Sequence, residues 1–428
     1  MAPFVAWMLE QEARALRTRL ARVRPFALIE SMLPAAALLP PAQIAIERHL
    51  AQGRHDLERA IRGFMTWLRT GARTQSAQDA QRRFTQLRLR FNVALTQFDL
   101  FSDVLTQRSE SESGVWLSGM DAAATDALTL SGRWYVVPPL VCYLDRGAGA
   151  AIRRARTRLP GGGENPVAVI RVPRERMVGS GIASSLVHEV GHQGAALLDL
   201  VASLRPTLQA MQRSPDPAQR EVWQLWERWI SEIVADFWAV ARVGVASTLG
   251  LIAVVSLPRV FVLRVDIADP HPSPWIRVLL SCAIGNTLYP HPQWGRIAAM
   301  WASFYPPSGI DAARRDLFDR LRATMGTFVS LLAGHRPRSL RGRSLAEVLA
   351  GPERTPRALG LHFRAWNDDP AAMYRAPPSL VFAAFGQARM DGRISPEDES
   401  TMTAKLLAHW ALAGTLRGAA RCAVAQRM

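Results

Sequence analysis

The sequence predicts a predominantly α-helical α+β fold, with a small mixed sheet flanked by helical segments. Two stretches place apolar residues every three or four positions, from Pro41 to about Ser109 and from Ile182 to about Val255. Between them, residues 131–172 carry short β-prone runs bounded by proline and glycine. A third helical section begins after Pro306-Pro307.

In chain order, Met1 to Arg17 reads as an amphipathic helix, and residues 44–50, 57–68 and 84–105 as further helices. The polar run from Ser109 to Gly114 breaks that pattern and predicts a boundary. Residues 134–137, 141–143 and 167–170 are the β-prone runs. The second helical stretch is interrupted at Ser214-Pro215-Asp216-Pro217. In the third section a Pro-rich stretch from Gly351 to Pro378 precedes a last helix. That helix opens at Ser395-Pro396-Glu397, which has the form of an N-cap followed by Pro at N1. The chain thus divides into an N-terminal helical region, 1–113, a core region, 114–304, and a C-terminal helical region, 305–428.

The 428 residues suffice for two or three domains, and 49% hydrophobic with 21% charged residues excludes a mainly disordered chain. The formal charge of +16 is carried almost wholly by arginine, with Lys405 the sole lysine. Arginines are spread along the chain except for Arg153, Arg154, Arg156 and Arg158, and no aromatic residue interleaves with these to stack bases. No nucleic-acid partner is expected. The three cysteines, Cys142, Cys282 and Cys422, lie far apart and suit a reducing compartment. The N-terminus shows no basic stretch followed by an apolar one. Between Arg242 and Arg259 an uncharged segment is shorter than a membrane span and is interrupted by Gly244, Gly250 and Pro258. A buried core helix in a cytoplasmic protein is the expectation, not an integral membrane protein.

The strongest chemical signal is His188-Glu189-Val190-Gly191-His192. On a helix, positions i and i+4 share a face, so both imidazoles can point at one ion. Glu189 then sits beside the open coordination position, where it can take a proton from water activated by zinc. Leu186, Val187 and Val190 suit a helix buried behind a metal, and Gly179-Ser180-Gly181 marks its start. Gly194 departs from expectation, since an apolar side chain is more usual there.

A third protein ligand is needed, and two His with one carboxylate form a known catalytic set. Glu232 is the candidate, on a helix expected to start near Asp216-Pro217 and rich in Trp226, Trp229, Ile230, Ile233, Val234 and Phe237. A carboxylate pair at i and i+4 in so apolar a run is costly to bury unless neutralised. A metal would neutralise Glu232, and Asp236 could accept from the outer nitrogen of a ligand His. Glu221 and Glu227 are weaker alternatives, having no acidic residue four positions later.

Further on, prolines flank His271 in Asp269-Pro270-His271-Pro272. A rigid His can donate to an oxyanion if it lies near the metal, and Arg277 could orient it or bind a carboxylate. A Pro-stiffened surface turn explains the same spacing equally well. Tyr289 and His291 compete for the role. Asp391-Gly392-Arg393 echoes half of a calcium loop but lacks the acidic ligands, and reads as a turn.

Taken together, His188-Glu189-x-x-His192, Glu232-x-x-Ala235-Asp236 and His271-Pro272 with Arg277 resemble the gluzincin zinc peptidases. The similarity is nearest to the CAAX prenyl proteases and their soluble bacterial relatives, and covers residues 165–280. It implies a gluzincin-like zinc peptidase core in residues 114–304, holding one Zn²⁺ on His188, His192 and Glu232. Glu189 would be the base, Asp236 the support of a ligand His, and His271 the group facing the intermediate. In gluzincins a strand before the zinc helix pairs with the substrate backbone. By that analogy Val167, Ala168, Val169 and Ile170 form an edge strand for a protein or peptide substrate. The expected activity is metalloendopeptidase hydrolysis of peptide bonds. Its alternatives are a catalytically silent gluzincin-fold protein that uses its basic surface to bind an acidic partner, and hydrolysis of a non-peptide amide.

Overall fold

A computed structural model of the protein describes residues 2–23, 32–70, 76–146, 149–159, 162–174, 180–266 and 268–425. Helix dominates. Helices α1 (Pro3–Arg22), α2 (Pro40–Thr70) and α3 (Ala77–Thr106) come first, then α4 (Ser111–Leu128). Strands β1 (Leu140–Asp145), β2 (Ala151–Arg153) and β3 (Ala168–Pro173) follow. Next are α5 (Ser180–Leu197), α6 (Leu200–Met211), α7 (Pro217–Arg228), α8 (Ile230–Val243), α9 (Val245–Val255), α10 (Arg259–Val262), α11 (Pro274–Leu288) and α12 (Gln293–Phe304). The chain ends with α13 (Ala312–Gly334), α14 (Leu345–Leu349), α15 (Pro356–Asp368), α16 (Pro370–Arg375), α17 (Pro378–Met390) and α18 (Pro396–Ala425).

Leu9, Ala13 and Leu16 of α1, Leu57, Ile61 and Phe64 of α2, and Phe84, Leu87 and Phe91 of α3 form a core of their own. Each such Leu, Ile or Phe contributes about 1.5–3 kcal/mol when fully buried. The principal core runs from Leu117 of α4 to Trp410 of α18. Helices on both sides of residue 305 therefore share one interior. Gly119 allows α4 and α18 to touch, since a Cβ there would stand 2.2 Å from the carbonyl oxygen of Leu407.

The sheet has three strands in the order β1-β3-β2, with β1 parallel and β2 antiparallel to β3. Leu140, Cys142, Ala168, Ile170 and Val172 face the principal core, on the α5 side. Val141, Val167 and Val169 face α2 and α3 with Phe101 and Val104. A buried ion pair ties β1 to the preceding elements. Arg108 Nη1 lies 3.1 Å from Asp121 Oδ2, Arg108 Nη2 donates to the Cys142 carbonyl at 2.6 Å, and the Cys142 N–H donates to Asp121 Oδ1 at 2.7 Å.

Several expectations need correction. Residues 134–137 are not a strand: Trp134 folds back to donate from Nε1 to the Ser131 carbonyl at 2.9 Å, closing a turn through Gly132 and Arg133. The long helix expected from Asp216 onward is two helices, α7 and α8, with a break at Trp229. Residues 167–170 do not form an edge strand. All but Val167 belong to β3, the central strand, whose backbone is paired to β1 on one side and β2 on the other. The edges are β1 and β2, and the three residues of β2 end at Arg153, the first of the arginine cluster.

The segment between Arg242 and Arg259 holds all of α9, set off from α8 by Gly244 at φ 57°, a conformation glycine adopts without strain. Val245, Ala246, Thr248 and Gly250 are buried there. Among the described residues no helix is long and apolar enough to cross a membrane. Cys142 and Cys282 are buried free thiols, and the side chain of Cys422 lies outside the described residues.

Candidate metal centre

Helices α5 and α8 bring the site together because small residues line their contact. A Cβ on Gly191 would stand 2.8 Å from Cα of Ala235 and 3.0 Å from Cβ of Trp238. On Gly194 it would stand 2.4 Å from the Trp238 ring. The indole thus fills the space where an apolar side chain was expected, and its Nε1 donates to the Ala127 carbonyl at 3.1 Å. Gly179, expected at the start of α5, lies outside the described residues.

One turn apart on α5, His188 and His192 place their rings at right angles, 4.8 Å between centroids. Glu232, in the first turn of α8, meets both: its Oε2 lies 3.3 Å from Nε2 of His188 and 3.4 Å from Nε2 of His192. Ligand bonds of about 2.1 Å in a tetrahedral site separate neighbouring ligand atoms by about 3.4 Å. The three ligand atoms lie within 4.8 Å of one another, and among the described residues they are the group of His, Cys, Asp or Glu side chains able to hold a metal ion.

Around these three is a second layer. Asp236, one turn beyond Glu232, accepts from Nδ1 of His188 at 2.8 Å. Arg277 of α11 grips the same carboxylate with Nε at 2.7 Å and Nη2 at 2.9 Å. Arg277 therefore binds a carboxylate rather than orienting His271. Asp269 does the orienting, accepting from Nδ1 of His271 at 2.8 Å and from its backbone N–H at 2.9 Å. This presents Nε2 of His271 to Glu232 Oε2 at 3.1 Å, on a ring 41% exposed. Sequence reasoning missed Asp269, although an acidic residue two positions before a Pro-flanked His was a usable signal.

The electrostatics follow from burial set against these contacts. Burial pushes the Asp236 carboxyl up, but Arg277 and then His188 hold it far below the usual carboxylate range. Burial likewise opposes ionisation of Glu232, and its bonds to His188, His192 and His271 overcome it. For His188, burial disfavours the imidazolium, yet Asp236 and the bond to Glu232 raise its pKa to about 9. Glu189 differs: burial raises its pKa, and His188 and His192 only partly offset this. A carboxyl pushed upward is suited to hold and release a proton near neutral pH. Glu189 lines a cavity of about 140 Å³ with His188, Asp236, His271 and Arg277. Gly149 and Ala150, just before β2, form part of its wall.

The competing candidates lie elsewhere. Glu221 is paired with Arg320 at 3.7 Å, and Glu227 accepts from Gln209 at 2.9 Å and Gln212 at 2.6 Å. The hydroxyl of Tyr289 donates to the Ala241 carbonyl at 2.6 Å, and Nδ1 of His291 accepts from the Gln293 N–H at 3.3 Å. Comparison with protein-family models, with curated proteins and with solved structures finds no match.

Proposed function

We propose that the protein is a zinc-dependent metalloendopeptidase with a gluzincin-like arrangement of His188, His192 and Glu232. The observation that carries this reading is the convergence of two imidazole nitrogens on one carboxylate oxygen, 3.3 and 3.4 Å away as tetrahedral ligands would be, beside a buried glutamate raised in pKa. Two nitrogens and one oxygen suit zinc, and leave a coordination position open.

Bound zinc supplies Lewis-acid polarisation and activation of water at neutral pH. Glu189 takes the proton of the attacking water and delivers it to the departing amine nitrogen. Asp236 fixes the ring of His188 through Nδ1, so that Nε2 faces the cavity, and Arg277 fixes Asp236 in turn. His271, held by Asp269, directs Nε2 toward the same space; the bond to Glu232 raises its pKa and so favours the imidazolium, an effect that burial opposes. That form donates to the oxygen that gains charge during attack. The substrate backbone, assigned by sequence to residues 167–170, is better served by the outer edge of β2, whose approach, Gly149 and Ala150, borders the cavity.

The test is cleavage of an unfolded protein by zinc-loaded enzyme, with and without chelator. Chelator-sensitive internal cleavage is expected. Zinc-loaded protein that cuts nothing would contradict the reading.

A further inference from the structure

A second cavity, of about 410 Å³, adjoins the outer end of the sheet, where Tyr143, Arg153, Arg154, Thr157 and Arg171 line it, with Leu100 of α3 beneath. It holds three arginines. Arg171 is paired with Asp145 at 3.6 Å and donates from Nη2 to the Gly149 carbonyl at 3.3 Å, while its buried Nε has no hydrogen-bond partner. Among the described residues neither Arg153 nor Arg154 makes an ion pair, and both are exposed. Besides Asp145, Asp103 is the other acidic group acting on Tyr143 there, against Arg171 and Arg153. The cavity retains uncompensated positive charge.

Strand register says what this charge would meet. Tyr143, Arg171 and Ala151 stand opposite one another across the sheet, as do Val141, Val169 and Arg153. Cross-strand partners share a face, and these two rows face α2 and α3. The row between them, Cys142, Ile170 and Ile152, faces the opposite side, toward α5. Successive side chains of an added strand point to opposite faces. A peptide paired along β2 would therefore send one side chain toward α5 and its immediate neighbours into the arginine-lined cavity.

Resting on the peptidase reading, we propose that Arg153, Arg154 and Arg171 select peptide substrates with Asp or Glu beside the residue that faces α5. The acidic side chain is recognised by charge-assisted hydrogen bonds from the guanidinium groups. The alternation makes the preference periodic: it falls on neighbours of the α5-facing residue, not on that residue.

The test digests a proteome-derived peptide library with full-length, zinc-loaded wild type and with an R153Q/R154Q variant, and reads the new termini by mass spectrometry. Wild type is expected to enrich Asp and Glu at positions of one parity relative to the cleaved bond. In the variant the ratio of acidic to amide cleavage should fall roughly five-fold, the size of an exposed ion-pair contribution, and less at high salt. Cleavage with no acidic preference, or with one that the variant keeps, overturns the subsite and leaves the peptidase reading standing. If no peptide is cut, the peptidase reading fails and the subsite is read separately. Fluorescence anisotropy then compares a decapeptide of alternating Glu and Val with its Gln counterpart on the same two proteins. Tighter binding of the Glu peptide, lost in the variant, supports the subsite; equal binding overturns it.

Discussion

Nδ1 of His188 donates to Oδ1 of Asp236 across 2.8 Å. That bond joins α5 to α8 and, through Arg277, to α11. Asp236→Asn removes the carboxylate that fixes the imidazole and leaves the largely covered Arg277 without its charge partner. Metal affinity should fall about 10- to 100-fold, read by competition with a chromophoric chelator. Stability should fall by about 3–5 kcal/mol, read by denaturant unfolding of the metal-free protein. Unchanged values on both would remove Asp236 from its assigned role.

Glu189→Gln preserves shape and removes the carboxylate proposed as the proton acceptor. Zinc content should stay at the wild-type level while turnover drops at least about 100-fold, measured on any peptide the wild type cleaves. A variant that retains turnover would mean that another group moves the proton.

Gly194→Ala tests the contact between helices. Helix propensity alone favours alanine by about 1 kcal/mol. The added Cβ, however, would stand 2.4 Å from the Trp238 ring, and overpacking of this kind costs about 1–3 kcal/mol. The steric effect is expected to win, so the urea midpoint should fall. A rise would show that the indole does not occupy that space.

The raised pKa of His188, about 9 in the metal-free protein, carries two signs. Burial opposes the raise, and Asp236 and the Glu232 bond outweigh it. Since the folded value exceeds the unfolded value of about 6.5, the imidazolium stabilises the metal-free fold below that pH. Its contribution fades as pH rises through about 9. A metal ligand must be neutral imidazole, so zinc binding at pH 7.5 should release about one proton from this ring. Calorimetric titration in buffers of different ionisation enthalpy measures it; no buffer dependence would contradict the assignment.

The readily legible parts of the site are local in sequence. His188 and His192 share a helix face through their spacing alone, and the Glu232–Asp236 pair stood out as two carboxylates in an apolar run. Asp269 was one motif away from being recognised. What escaped was nonlocal. Strand order depends on which partner lies on each side, so nothing within residues 167–170 told a central strand from an edge. Of the two edge strands, β2 is three residues long and carries an arginine, too short for alternation to register. Gly194 looked like an exception until its neighbour was known, for the explanation is Trp238, 44 positions along the chain. The break at Trp229 was hidden by apolar residues that continue through it.

The central claim is that His188, His192 and Glu232 hold one zinc ion. Metal analysis of purified wild type after zinc loading and desalting, beside Glu232→Ala, tests it most directly. The account predicts one zinc per chain in the wild type and a marked loss in the variant. Equal zinc in both, or none in either, would contradict it.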